Sequence, residues 1–182
     1  NLNKSGAVFD TQKLEWLNGR FLRETLSEED FILRVAAWAS ENARLKEGLK
    51  LSQSRITKLG ELPALMGFLL QSDMVPEAEA FAKIKKTNPA EILEILQAVQ
   101  PVLEKLVEWN VTTIEEALRQ LSEDMDKKLR TVVAPLFVAM SGSSRSLPLF
   151  DSMAILGRAV VRQRLKTAEG VVAGMVAEEA KK

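Results

Sequence analysis

The chain has 182 residues, 46% of them apolar, and its 25 basic and 25 acidic groups cancel to a formal net charge of zero. This length and apolar content allow a sizeable core, built as one large domain or two small ones. With no cysteine and no histidine, disulfides, thiolate nucleophiles, most zinc sites and every catalytic device that needs an imidazole are excluded within the chain.

The opening NLNKSGAVFD begins with Asn and reads as the interior of a longer polypeptide. Nearly every later segment repeats its apolar residues at three and four, so an all-α protein is expected. Asp10 caps a first helix with Leu14, Leu17, Phe21 and Leu22 on one face. Ser27, with Asp30 three residues on, starts a second carrying Phe31, Ile32, Val35 and Trp38. A shorter helix is expected from about Glu47 to Ile56, and Pro63 opens a fourth over 64–71. Trp16, Phe21, Phe31, Trp38 and Phe68 all fall on apolar faces and are expected in the core.

The pair Asn88-Pro89 is a strong helix start, followed by a stripe of Ile92, Leu93, Leu96, Val99, Leu103, Leu106 and Val107. Pro101 is expected to kink this helix without ending it. Thr113 and Glu116 have the spacing of a capping box for the next. Helices over 129–140 and 149–155 follow, then a basic helix from Arg158 to about Ala168. The architecture expected is a helical cage of two consecutive subdomains, 1–76 and 77–170, divided near Pro76. Residues 171–182 form a low-complexity tail that frays.

Neutrality hides an asymmetry. Residues 77–126 hold eleven acidic groups against five basic, whereas residues 127–166 hold eight basic groups against Asp151 alone. The second segment suits a polyanion. Lys127, Lys128, Arg158, Arg162 and Arg164 are its candidate phosphate contacts, with a solvated face as the alternative for the basic helix. The carboxylate runs at 28–30, 115–116 and 123–124 read as surface charge at helix starts. There is no Gly-rich phosphate loop, so neither a catalytic residue nor a metal site is expected. No run of about 18 apolar residues occurs, so a cytoplasmic protein without a membrane partner is expected.

SGSSRSLPLFD, residues 141–151, sets small polar residues, Arg145 and an apolar run between two helices. Leu147, Pro148 and Leu149 together suggest a surface with a use. Phe150 either stacks on a base or plugs the next helix into the core, the second being favoured.

Two phrases carry a family resemblance. AVFDTQKLEWLNGRFLRE, residues 7–24, resembles the segment that follows the catalytic half of bacterial class I glutamyl-tRNA synthetases, of the form FD-xx-KL-x-W-x-N. PLFVAMSGSSRSLPLFDSMAILGRAVVRQRL, residues 135–165, is similar to the C-terminal phrase of that family, P-L-R-x-A-L-T-G followed by P-P-L-F-E. The resemblance spans essentially the whole chain. It implies the helical anticodon-binding half of such an enzyme, without aminoacylation of its own. ATP, magnesium and the catalytic domain would belong to chain preceding residue 1, and this half would hold no cofactor. The implied partner is glutamate tRNA, with no DNA, and the protein is expected as a monomer.

The resemblance also assigns roles. Splayed anticodon bases need apolar groups, hydroxyls and cations, and Arg145, Ser146, Leu147, Pro148, Leu149 and Phe150 fall on the loop that meets the first two of them. Arg55, in SRITKLGEL, matches the arginine that contacts the third base, C in glutamate tRNA and G in glutamine tRNA. By residue type alone Arg55 is a surface arginine. Cytosine offers acceptors to an all-donor guanidinium, whereas guanine turns donors toward it. Phe137 replaces the arginine of the family's P-L-R, which leaves stacking in place of a polar contact; Ser141-Gly142 replaces Thr-Gly, and Leu147 stands where proline is usual. The alternative is a helical scaffold that docks partner proteins through the Leu-Pro-Leu-Phe loop.

Overall fold

The computed structural model describes residues 10–71, 73–143 and 146–181. Helices are the only regular secondary structure of these residues, with no strand among them, so the all-α architecture holds. They form two compact units, Asn1–Asn42 and Ala43–Lys182.

In the first unit the Asp10 carboxylate accepts from the Lys13 N–H at 3.0 Å and starts α1 (Thr11–Arg20). A π-helical turn, Phe21–Thr25, follows. Ser27 Oγ accepts from the Asp30 N–H at 3.1 Å to start α2 (Glu28–Glu41). None of the described residues here is buried. Trp16 and Trp38 are 55% and 52% exposed, and Phe21 and Phe31 are exposed as well, contrary to the core positions expected from their spacing. Helical spacing identifies an apolar face but not its cover, and a unit this short has too little chain to enclose large rings. Arginines lie over two of these rings: Arg20 over Trp16 at 5.2 Å and Arg34 over Phe21 at 5.6 Å.

The second unit begins at α3 (Ala43–Ser52), a turn earlier than its apolar pattern suggests. After a 3-10 turn at Leu59–Glu61, α4 (Leu62–Met66) passes into a second 3-10 segment, Gly67–Leu70, where one continuous helix was expected. Met66, Phe68 and Leu69 are buried in the same core as the later helices. The division therefore falls after Asn42 rather than near Pro76.

α5 (Ala78–Ala82) buries Phe81 and leads through Lys83–Thr87 to α6 (Pro89–Glu104). Asn88 Oδ1 caps α6 by accepting from the Glu91 N–H at 2.8 Å. Pro101 lies inside α6, which buries Ile92, Ile95, Leu96, Val99 and Leu103. It stops before Val107, which is 96% exposed and not part of the stripe. α7 (Val111–Asp124) is capped three residues earlier than expected, by Asn110 and Thr113. α8 (Leu129–Ser141), α9 (Leu149–Leu156) and α10 (Arg158–Glu179) complete the unit. α10 runs through the expected fraying tail, because Ala168 and Val172 are buried. Gln97 and Gln100 of α6 also donate to the Glu169 carboxylate at 3.0 and 2.7 Å.

Candidate nucleic-acid interface

The loop after α8 begins at Gly142, whose φ of 70° is in the left-handed region and whose N–H caps the helix on the Val138 carbonyl at 2.8 Å. Ser141 Oγ donates to the Phe137 carbonyl at 2.8 Å. Ser146 and Pro148 are half-buried, and Pro148 precedes the first turn of α9. Leu147 and Leu149 are 0% and 4% exposed. Both are core anchors, so the expected apolar face of the loop is withdrawn from solvent. Phe150 is half-buried against the same core, as the plug reading expected. Arg145 lies outside the described residues.

Three arginines of the basic helix are engaged within the fold. Arg164 is 1% exposed and donates to the carbonyls of Met140, Phe68 at 2.8 Å and Gln71 at 2.6 Å. It continues the inward stripe Val161, Leu165, Ala168 and Val172, which excludes it as a phosphate contact. Burial, with Arg44 nearby adding repulsion, pushes its pKa down to about 10, so it stays charged at neutral pH. Arg158 stacks on Trp109 at 5.3 Å and donates to the Glu104 and Leu106 carbonyls at 3.3 and 2.5 Å, covering the end of α6. Arg162 pairs with Glu104 at 3.2 Å, and Lys127 with Glu91 at 2.8 Å. The Lys127 ammonium is raised above the usual lysine value, chiefly by its hydrogen bond to Glu91. Lys128, at the start of α8, is exposed and makes no ion pair among the described residues.

Arg55 is exposed on the turn after α3. Its N–H donates to the Ser52 carbonyl at 2.8 Å, and Ser52, itself fully buried, donates from Oγ to the Gly48 carbonyl at 2.7 Å. The backbone below Arg55 is thus tied to α3, while its guanidinium has no partner among the described residues. Thr57 is held by the Glu61 carboxylate through its N–H at 3.1 Å and its hydroxyl at 2.9 Å.

A cationic cavity was not singled out from the sequence. Between the 83–87 turn and α8 lies a space of about 650 Å³, lined by Lys83, Lys85, Lys86, Thr87, Arg130 and Phe137 among others. Lys86 holds a φ of 65°, in the left-handed region. The signal was the KIKK run just before a helix start, which the acid-rich average over 77–126 obscured.

An all-α unit with an anchored but unpaired arginine and a separate cluster of free lysines has the character of a helical polyanion-binding module. The model for the anticodon binding domain matches residues 21–169, and the chain belongs to that family. Among full-length relatives, the glutamate–tRNA ligase of Rhizobium johnstonii is 68% identical over 176 residues, which are 97% of this chain and 36% of that protein. The Agrobacterium fabrum ligase is 63% identical over 175 residues, and that of Cellvibrio japonicus is 37% identical over 169. The chain thus spans about a third of these relatives' length. A crystal structure of a glutamate tRNA ligase from Elizabethkingia meningosepticum, in complex with its amino acid, superposes with a TM-score of 0.63 at 20% identity, over 92% of this chain and 34% of that one. At that identity it supports the fold alone. No helix among the described residues is long and apolar enough to cross a membrane.

Proposed function

We propose that this domain reads the anticodon loop of glutamate tRNA as part of a longer glutamate–tRNA ligase acting in the cytoplasm as a monomer. The observation that carries the reading is the family match over residues 21–169, joined to 68% identity with a relative of that activity. Glutamate activation, with ATP and magnesium, belongs to the remainder of such a ligase.

In this reading Arg55 contacts the third anticodon base. An exposed guanidinium without a partner among the described residues, on an anchored turn, suits cytosine's acceptors and meets guanine's donors unfavourably, a difference of roughly 1–3 kcal/mol. Ser146 and Pro148 face the first two bases, with the exposed edge of Phe150 offering ring surface. Leu147 and Leu149 act indirectly, by seating the loop. Lys128 supplies charge to the backbone. The scaffold alternative loses its support, since the leucines meant for a partner helix are buried.

The test is binding to glutamate tRNA, glutamine tRNA and a glutamate tRNA with scrambled anticodon, over a salt series. Tightest binding to the first, weakened by the scramble, is expected. Equal binding to all three refutes anticodon reading.

A further inference from the structure

We infer that the cavity between the 83–87 turn and α8 is a second RNA site, which clamps one nucleotide of the single strand outside the bases that Arg55 and the 146–150 loop face. The inference rests on the tRNA-binding reading and assigns residues that reading does not use.

The lining decides the ligand class. Lys83, Lys85, Lys86 and Arg130 converge on about 650 Å³ of space without an acidic residue in its wall. None of the four makes an ion pair or side-chain hydrogen bond among the described residues, unlike Lys127, Arg158, Arg162 and Arg164. The volume is in the range of sites that enclose a small-molecule-sized group, roughly 300–1,000 Å³. Free ammonium groups around such a space suit a phosphate, and the half-buried Phe137 supplies a ring for the attached base. A phosphate, a sugar and a base together make a nucleotide, a ligand that suits both the cations and the ring in this lining.

The site is held in place. Phe81 is fully buried just before the turn and the Asn88 cap fixes α6 just after it, so the lysines stand on a short segment anchored at both ends. Arg130, Ala134, Phe137 and Ser141 share one face of α8 by their spacing. Eleven residues of helix rise about 16 Å, and Ser141 is where the recognition loop starts. A short stretch of single strand can therefore run from that loop along α8 into the cavity.

The experiment is equilibrium binding of the 182-residue chain to glutamate tRNA and to its anticodon-scrambled form across a salt series. The double variant Lys86→Gln/Arg130→Gln is compared with Lys105→Gln, an exposed lysine at the far end of α6, about 24 Å along its axis. Each lost phosphate contact on a single strand lowers the slope of log K against log salt by about 0.7. The double variant is expected to lose at least that much slope and to bind about tenfold more weakly at low salt, while keeping its preference for the correct anticodon. Phe137→Leu is expected to bind at least about fivefold more weakly with the slope unchanged. An unchanged slope in the double variant, with the wild type still preferring glutamate tRNA, overturns the clamp and leaves anticodon reading intact. A loss of half that slope or more in Lys105→Gln also overturns it, since overall charge, one group against two, then accounts for the effect. Failure of the wild type to bind any tRNA removes both.

Discussion

The Arg164 guanidinium, on α10, donates at 2.8 Å to the carbonyl of Phe68, 96 positions earlier in the chain. The same group holds the last turn of α8 through Met140 and the end of the 3-10 segment through Gln71. One side chain thus joins three segments of the second unit. Arg164→Met removes donors from three carbonyls in a buried setting and is expected to destabilise the domain by about 3–5 kcal/mol. Urea unfolding measures this, and a change within 0.5 kcal/mol, the usual range of surface substitutions, would restore Arg164 to the surface.

Arg55→Gln is expected to do the reverse. The guanidinium has no partner among the described residues to lose, so stability should stay within about 0.5 kcal/mol. Discrimination between glutamate and glutamine tRNA should fall by roughly 1–3 kcal/mol. Competition binding of the two tRNAs checks this; equal ratios before and after would remove Arg55 from base reading.

The ion pair between Lys127 and Glu91 predicts a pH dependence. A lysine whose folded pKa lies above its ordinary 10.5 contributes stability that is fully present below that value and is lost as pH rises through the folded pKa. The difference in melting temperature between wild type and Lys127→Met should be constant from neutral pH to about pH 10, then shrink. A difference that instead grows with pH there would contradict the pairing.

Gly157 links α9 to α10 with φ 80° and ψ 156°, backbone angles that side chains rarely adopt. Gly157→Ala is expected to cost about 1–3 kcal/mol through backbone strain, although no atom crowds the site. Thermal unfolding would show it, and an unchanged midpoint would mean that the junction relaxes freely.

Helix starts were the most legible feature, because a cap is a contact between near neighbours. Asp10, Ser27 and Asn88 each bond an N–H three residues on. Which cations remain free was not legible from segment charge, since the sum over 127–166 cannot tell an arginine facing solvent from one facing a carbonyl. A helical wheel carries more: Val161, Arg164, Leu165, Ala168 and Val172 share one stripe, which places Arg164 inward. Leu147 and Leu149 look exposed in a polar loop, yet their burial depends on helices distant in sequence. The lysines at 83–86, free among the described residues, were hidden for the same reason as the bound cations Lys127 and Arg158: charge averages along the chain, whereas partners are arranged in space.

The left-handed backbone at Lys86 has a consequence for how the domain tolerates change. Glycine adopts that geometry without the steric penalty a lysine incurs, so a turn selected for thermal endurance alone would carry glycine there. A lysine at this position gives up some folding free energy and places a positive charge in the cavity. Mutations that harden the turn would therefore discharge it, so in the proposed clamp heat resistance and hold on RNA are opposed at this one residue.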